Sequence, residues 1–368
     1  MIKMAVVGLG KMGLSHLAIV RPHPHVNLIA VCDTVGYVLD TLNKYTGVKT
    51  YTDYGKMLEH EQLDAVLIAT PSRAHGQMVR AALDRNLHVF CEKPFSLDPQ
   101  EGLALAELAE RKGLVTQVGY HYRFVGAFEE VKRLLEAKAV GRIHHVRAEA
   151  YGPVVLRSKA ATWRTTKTEG GGCLYDYACH ALDLLNYLVG PPAGVRGTVL
   201  TKVFSGDVED EVYASLYYRD GTSAQLAANW SDESFRKMST KVTLWGTEGR
   251  IYADRQEVQI YLRDQPKPEL QLEEGWNVRY TTGLTEEVWF YLRGEEYSAQ
   301  IDHFVRHVQV RDSRTRCTFR DAVQADIVVD MILRDSSGAA APEAASADAV
   351  NAAVVCKEAS WWKRVLGF

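Results

Sequence analysis

A glycine-rich turn near the start of the chain constrains its fold more than any other feature. Gly8, Gly10 and Gly13 form the sequence GLGKMG, which follows the apolar run KMAVVG and opens the helical stretch MGLSHLAIV. The first glycine permits a tight turn, the second lets backbone approach a ligand, and the third lets helix and strand pack closely. The motif therefore predicts a strand, a turn and a helix whose N-terminus can bind the phosphates of a dinucleotide.

Apolar runs of strand length alternate with helical patterns through the first third of the chain. The runs NLIAVCD, DAVLIAT, LHVFCE and LVTQVGY are rich in Val, Ile, Leu and Ala, as is typical of parallel strands covered by helices on both faces. The alternation predicts an α/β fold in which residues 1–122 form a Rossmann domain, a doubly wound parallel sheet.

An acid at the end of the second apolar run indicates which dinucleotide binds. Asp33 lies twenty residues beyond Gly13, where a carboxylate can accept hydrogen bonds from the adenosine ribose hydroxyls and would repel a 2′-phosphate. No Arg or Lys follows in the next four residues, 34–37. The sequence therefore predicts NAD in preference to NADP. The alternative is that the glycines only make a turn and Asp33 caps the next helix.

The pattern changes after Phe124. We predict helices over 126–138, 175–189, 297–311 and 320–334, and long strands of alternating polarity that include RIHHVRAEAY, VRGTVLTKVF, EVYASLYY, SAQLAANW, KVTLWG and EVQIYL. The segments YYRDGTSAQ and WGTEGRIYA are typical of hairpins. Residues 123–336 are thus expected to form an α+β domain on a large, mainly antiparallel open sheet. Residues 337–368 are predicted to be a flexible linker and an apolar C-terminal tail.

Bulk properties narrow the range of partners and compartments. The formal net charge of -3 gives no electrostatic footprint for nucleic acid. Six cysteines without a CxxC pair are typical of reduced thiols in a cytoplasmic protein, and no metal site is expected. No apolar run approaches the length of a membrane span, and the N-terminus shows no cleavable signal pattern. We therefore expect a cytoplasmic protein without membrane or nucleic-acid partners.

A lysine follows the strand LHVFCE. Glu92, Lys93 and Pro94 stand where strand ends of a doubly wound sheet face the ligand crevice. Burial beside a cationic nicotinamide would lower the pKa of Lys93 and let it donate to a substrate hydroxyl. Pro94 is a candidate for a cis peptide bond. Taken alone, the motif would indicate a solvated surface turn.

A second set of polar residues occurs in the segment GGGCLYDYACHALD. Asp176 and His180 are four residues apart on a predicted helix, and Asp183 shares their face. A histidine flanked by carboxylates has a raised pKa and a fixed tautomer, as a general base for alcohol oxidation requires. Structural core polar residues are the alternative. Zinc held by Cys173, Cys179 and His180 is a further one, but the spacing matches no closed zinc site.

In these motifs the chain resembles the Gfo/Idh/MocA oxidoreductases, over almost its whole length to about residue 335. The matching segments are GLGKMG, ATPSRAH, CEKP, VGYHYRF and the GGG, Asp, His, Asp series. The resemblance implies that Lys93, Asp176 and His180 are catalytic and that the C-terminal sheet mediates a homodimer or homotetramer. It also implies that the cofactor site contains Gly8, Gly10, Lys11, Met12, Gly13, Asp33, Thr70, Pro71, His75, Glu92 and Lys93, and that the substrate pocket contains Tyr120, Arg123, Trp163, Arg164, Asp176 and His180.

The combined motifs predict an NAD-dependent dehydrogenase that acts on a hydroxyl carbon of a sugar, cyclitol or nucleotide sugar. Two alternatives stay open. The first is an NAD-dependent glycoside hydrolase that uses the same residues and oxidises its substrate transiently. The second is a non-catalytic NAD-binding sensor that signals through its C-terminal tail. The basic residues Lys159, Arg164 and Lys167 can either hold an acidic group of the substrate or belong to a solvated loop.

Overall fold

The first sheet contains six parallel strands. The structure, a computed structural model, describes residues 1–154 and 163–338. The strand order is β3-β2-β1-β4-β5-β6, that of a dinucleotide-binding Rossmann sheet, so this part of the fold prediction is confirmed. The strands are β1 Ile2–Val7, β2 Val26–Cys32, β3 Lys49–Tyr51, β4 Ala65–Ile68, β5 His88–Cys91 and β6 Thr116–Val118, and the helices are α1 Lys11–Val20, α2 Gly36–Thr46, α3 Tyr54–His60, α4 His75–Asp84 and α5 Pro99–Arg111.

The strand order reverses between β1 and β4, which both pair with their neighbours in parallel. All four residues of β4 are buried, because helices cover both faces of the sheet. Ligands of such folds bind outside the carboxyl ends of the strands at this reversal. The turn after β1 and the segments after β4 and β5 therefore border the same crevice.

The second sheet contains eight strands in the order β14-β13-β12-β11-β7-β10-β9-β8. All neighbours are antiparallel except β7 and β10. Both predicted hairpins form, between β9 and β10 and between β11 and β12. The mainly antiparallel sheet is therefore confirmed. The strands are β7 Ile143–Tyr151, β8 Gly194–Thr201, β9 Glu211–Tyr217, β10 Ser223–Asn229, β11 Ser239–Gly246, β12 Gly249–Ala253, β13 Glu257–Leu262 and β14 Gly275–Tyr280.

The four predicted helices of the second half are all present, with ends that differ by a few residues. The segment predicted as one helix over 175–189 begins as a π-helix, Leu174–Ala178, and continues as an α-helix. The α-helices are α6 Gly126–Glu136, α7 Cys179–Val189, α8 Thr281–Leu284, α9 Glu295–Val310 and α10 Phe319–Ser336; short 3-10 turns span Ser72–Ala74, His121–Phe124, Trp163–Thr165, Lys167–Glu169 and Pro268–Leu270.

Helix α10, the last helix among the described residues, contributes to the hydrophobic cores of both sheets. Phe319 and Val323 pack into the core beneath the first sheet, where the Phe319 ring stacks on Phe95 at 4.2 Å between centroids. Val328 and Ile332 belong to the core of the second sheet. The helix begins with a capping box between Thr318 and Asp321. It thereby fixes one sheet relative to the other.

Most of the predicted linker and all of the apolar tail, residues 339–368, lie outside the described residues.

Within the described ranges, the helices are too short or too polar to cross a bilayer.

Candidate active site

The glycine turn forms as the sequence predicts. Gly8 has φ +84, and a Cβ there would lie 2.7 Å from the carbonyl carbon of Ala69. A Cβ on Gly13 would overlap the carbonyl oxygen of Gly8. Helix α1 starts at Lys11 without a side-chain cap on its first N–H groups. These donors and the uncluttered turn suit the pyrophosphate of a dinucleotide.

Asp33 follows β2 and closes one side of this turn. Its Oδ2 accepts a hydrogen bond from the Leu9 N–H, and its Oδ1 accepts one from the Val35 N–H at 2.8 Å. Val35, rather than Asp33, is the N-cap of α2. The carboxylate lines the cleft and borders the exposed residues 34–37. It is therefore placed to bind ribose hydroxyls beside the turn.

The cleft over the glycine turn has a volume of about 660 Å³. Thr70 and Pro71 line it, as do Lys11, Met12, Glu92 and Lys93. His75 instead lies behind this wall, with Nδ1 2.9 Å from the Pro94 carbonyl oxygen and Nε2 3.0 Å from the Thr70 carbonyl oxygen. Its position corrects the expectation that it contacts the cofactor: it links the segments after β4 and β5.

Glu92 has a partner that the sequence analysis missed. His16 of α1 is fully buried, and its Nε2 lies 2.6 Å from Glu92 Oε1. Burial raises the pKa of Glu92, but the hydrogen bond and charge of His16, with Lys93, outweigh it and lower the pKa overall. The signal in the sequence is the position of His16 three residues after Gly13, on the inward face of α1. The pair connects the glycine helix with the lysine motif.

Lys93 meets Asp176 across the two halves of the chain. Its Nζ donates to Asp176 Oδ1 at 3.0 Å and to the Asp176 carbonyl oxygen at 2.9 Å. Arg164 Nε donates to the other carboxylate oxygen at 2.8 Å. Burial lowers the pKa of Lys93, but the Asp176 carboxylate raises it more, so the expected lowering does not occur in the chain itself. The Lys93–Pro94 peptide bond is cis, as predicted.

His180 lies next to this ion pair, in a setting unlike the predicted one. Burial, the Lys93 ammonium and His121 hold the pKa of His180 well below its ordinary range. The predicted rise in this pKa is wrong because neither carboxylate pairs with the imidazole. Asp176 pairs with cations, and the rings of Tyr120, His121 and Tyr122 surround His180. The imidazole is consequently neutral near neutral pH and able to accept a proton.

Asp183 and Arg123 form a separate buried ion pair. The Arg123 guanidinium donates from Nε and Nη2 to the Asp183 carboxylate, at 2.8 to 3.2 Å. Only 4% of Arg123 is exposed, and Tyr120 is fully buried. Both lie behind the clefts described here, which corrects their assignment to the substrate pocket. The Asp183 carboxylate is bonded to Arg123 and therefore does not orient His180. This corrects the role that the sequence had suggested for Asp183.

A second cleft of about 730 Å³ adjoins the first. Lys93, Asp176 and Arg164 line both clefts, whereas His180 lines only the second and Trp163 only the first. The predicted catalytic residues thus come together where a cofactor cleft meets a substrate-sized cleft. The sequence analysis missed other lining residues from distant segments, namely His121, Tyr122, Arg236, Lys237, Arg255, Arg293 and Tyr297.

The zinc alternative finds no support in these contacts. The Cys179 thiol donates to the Tyr175 carbonyl oxygen at 2.9 Å, and burial raises the pKa values of Cys173 and Cys179. In residues 1–154 and 163–338, His, Cys, Asp and Glu side chains form no group of three that could hold a metal ion. Lys159 lies outside the described residues, and Lys167 is exposed.

Comparison with known proteins identifies matching families for both halves. Residues 2–120 match the family described as "Oxidoreductase family, NAD-binding Rossmann fold", and residues 128–252 match "GFO/IDH/MocA C-terminal domain". Scyllo-inositol 2-dehydrogenase (NAD(+)) of Bacillus subtilis is 27% identical over 68% of this chain and 73% of its own length. The rhizopine catabolism protein MocA of Rhizobium meliloti is 30% identical over 61% of this chain and 70% of its own length.

A solved structure shares the fold. The WlbA dehydrogenase of Bordetella pertussis, in complex with NADH and UDP-GlcNAcA, superposes with a TM-score of 0.79 at 21% identity, over 93% of this chain and 98% of that one. Matching families in both halves, a relative at 30% identity and the cleft residues agree. This chain belongs to the Gfo/Idh/MocA family of oxidoreductases.

Proposed function

We propose that this chain is an NAD-dependent dehydrogenase that transfers hydride between nicotinamide and a hydroxyl carbon of a sugar, cyclitol or nucleotide sugar. The observation that carries the proposal is the meeting of Lys93, Asp176 and His180 at the junction of the two clefts. One relative named above is a scyllo-inositol 2-dehydrogenase, and the similar solved structure is a complex with UDP-GlcNAcA. When bound, NAD supplies the hydride acceptor.

Lys93 and His180 have complementary roles in this proposal. The Lys93 ammonium, protonated because Asp176 raises its pKa, donates a hydrogen bond to the substrate oxygen and stabilises the alkoxide that develops there. The neutral imidazole of His180 accepts the hydroxyl proton. Asp176 orients Lys93, and Arg164 in turn holds the second oxygen of Asp176. The sequence had instead suggested that carboxylates orient the histidine.

The experiment that tests the proposal compares wild type with Lys93→Met. We screen polyols, aldoses, uronates and nucleotide sugars for NADH absorbance and measure NAD affinity by isothermal titration calorimetry. Loss of the charge on Lys93 should lower kcat by about 100-fold or more, because it stabilises the transition state, while NAD affinity stays within a few fold.

Lys44→Met, which removes an exposed lysine at the end of α2, serves as the matched control and should retain wild-type rates. Normal turnover in Lys93→Met would contradict the mechanism. Release of a sugar without net NADH would favour the transient-oxidation hydrolase instead.

The organisation of the protein is part of the proposal. We propose an NAD-binding unit over 1–122, a substrate and oligomerisation unit over 123–336, and a linker with tail over 337–368; the two family matches fall on either side of residue 122. The cysteines of the described chain are five buried free thiols, which supports a reducing, cytoplasmic compartment.

A homodimer or homotetramer built through the second sheet is also proposed. One face of this sheet packs on the helices, and the opposite face exposes large apolar side chains, which include Val199, Tyr213, Tyr217, Tyr261, Trp276 and Tyr280. These side chains lie towards the two edges of the sheet, on β8–β9 and on β13–β14, and exposed large apolar side chains of this kind are typical of a subunit interface.

A further inference from the structure

The second cleft carries a surplus of positive charge. Of the described residues that line it, seven are Lys or Arg and two, Glu92 and Asp176, are carboxylic acids. Both acids already have partners within the chain, since Glu92 lies against His16 and Asp176 binds Lys93 and Arg164. Transfer of hydride from a neutral polyol needs no such concentration of cations.

Part of this charge serves the cofactor and part does not. Lys11 and Arg293 line both clefts, and Lys11 belongs to the glycine turn itself, so these two cations face the cofactor as well as the second cleft. Arg236, Lys237 and Arg255 line only the second cleft. These three cations therefore face the space that the substrate occupies.

Arg255 is the most firmly held of the three. It follows β12, forms an ion pair with the buried carboxylate of Glu296, and lies over the Tyr122 ring at 5.9 Å from the centroid. Its side chain remains 33% exposed. A guanidinium fixed in this way retains donors for a bidentate contact with a carboxylate or phosphate.

Arg236 and Lys237 occupy a different part of the chain, the segment between β10 and β11, and both are exposed. They thus add two exposed cations to the guanidinium of Arg255. Cations that line one cleft give it a positive potential, which attracts an anionic group of a ligand.

We propose that the substrate carries an acidic group, a carboxylate or a phosphate, that binds Arg255, Arg236 and Lys237 while its reacting hydroxyl lies at Lys93 and His180. This inference rests on the proposed dehydrogenase function and narrows it from carbohydrates in general to acidic ones.

The experiment uses the full chain with NAD and four probes: myo-inositol as a neutral polyol, D-glucuronate as a carboxylate, glucose 6-phosphate as a phosphomonoester and UDP-glucose as a nucleotide sugar. Initial rates are measured for wild type and for Arg236→Gln/Lys237→Gln. Calorimetry measures binding of each probe to the NADH-bound protein. Arg219→Gln/Lys202→Gln removes two exposed cations outside both clefts and serves as the matched control.

An acidic probe should have a kcat/KM at least about tenfold above that of myo-inositol. The cleft double variant should raise KM for that probe about tenfold, because it loses two charge-assisted contacts, and the control should leave it unchanged. Raising salt from about 0.05 to 0.5 M should also raise KM, since screening weakens exposed ion pairs. Preference for glucuronate over the two phosphate probes would assign a carboxylate, and the reverse a phosphate.

The inference and the proposed function fail in different ways. Oxidation of myo-inositol without binding of any acidic probe would overturn the inference and leave the dehydrogenase intact. Equal changes in KM for neutral and acidic probes in the cleft double variant would also overturn it. If an acidic probe bound in a charge-dependent way but no NADH were formed in the rate measurements, the anion site would be supported and the dehydrogenase contradicted. Neither binding nor turnover by any probe would overturn both.

Discussion

Asp176 shows how single contacts decide the chemistry of this site. Its spacing from His180 in the sequence suggested a carboxylate and an imidazole acting together. In the structure, Lys93 and Arg164 occupy both of its oxygens. Lys93 reaches it because the two halves pack against each other, and Arg164 reaches it from a turn twelve residues earlier in the chain, so helix periodicity gives no sign of either contact. Asp176 consequently orients Lys93, whereas burial keeps the His180 imidazole neutral.

The lowered pKa of His180 leads to a prediction about pH. Because burial and the Lys93 ammonium hold the pKa of His180 well below its ordinary value of 6.5, the imidazole keeps its ability to accept a proton as the solution is acidified through that pH. We expect kcat/KM for alcohol oxidation to show no inflection between pH 6.5 and 7.5 that depends on His180. His180→Gln should lower kcat by about 100-fold or more. Stopped-flow rates across pH provide the measurement, and an acidic limb centred at or above 6.5 in wild type would contradict the assignment.

Asp33 governs the choice of cofactor in a second prediction. Asp33→Ala removes the carboxylate that holds the Leu9 N–H and faces the ribose position. The Kd for NAD should rise about tenfold to 100-fold, as for the loss of a hydrogen bond to a charged group, without a comparable gain for NADP. Calorimetry with both cofactors measures this.

The control for Asp33 is Asp40→Ala, which removes an exposed acid of α2 that does not line the cofactor cleft. It should bind NAD like wild type. Equal affinity of the wild-type protein for NAD and NADP would show that the carboxylate does not select between them.

Among the elements, the glycine turn and α1 were predicted closely because their requirements are local. A third prediction tests them. Gly13→Ala places a methyl group against the Gly8 carbonyl oxygen, so the turn and helix must separate, at a cost of about 1–3 kcal/mol in the free energy of unfolding. NAD affinity should fall with it. Urea unfolding and calorimetry provide the two measurements.

Gly36→Ala is the matched control, because a Cβ at this helical position meets nothing within 4 Å. We expect unchanged or slightly increased stability, since alanine restricts the unfolded chain more than glycine does. If Gly13→Ala were as stable as Gly36→Ala, the close packing of turn and helix would not matter.

The elements that the sequence did not reveal are those whose pattern is weak or non-local. Strand β14 was not predicted, because its alternate residues are half-buried and exposed rather than buried and exposed, so it lacks the usual contrast. The π-helix before α7 is also missing from the predictions, since its hydrogen bonds span only one residue more than those of an α-helix and it leaves the apolar pattern intact. The cations that line only the second cleft come from two separate loops, whose approach depends on tertiary packing.

At the scale of the whole molecule, the open face of the second sheet leads to a fourth prediction. Tyr261 and Trp276 are paired across β13 and β14, with ring centroids 5.2 Å apart on the exposed face. Tyr261→Glu/Trp276→Glu should convert a dimer or tetramer into a smaller species, because buried unpaired carboxylates are costly. Light scattering after size-exclusion chromatography gives the mass.

Tyr45→Glu serves as the control for this surface, since Tyr45 is an aromatic residue of α2 that is 74% exposed. It should leave the assembly unchanged. A wild-type protein that runs as a monomer would rule out the proposed interface.

The shared helix α10 has a consequence for the order in which the protein matures. Phe319 and Val323 complete one hydrophobic core, and Val328 and Ile332 complete the other. During synthesis, neither hydrophobic core is complete until α10 has emerged from the ribosome. The crevice where Lys93 meets Asp176 is therefore fully supported only once α10 has been made, and a chain truncated before Phe319 would lack packing in both halves at once.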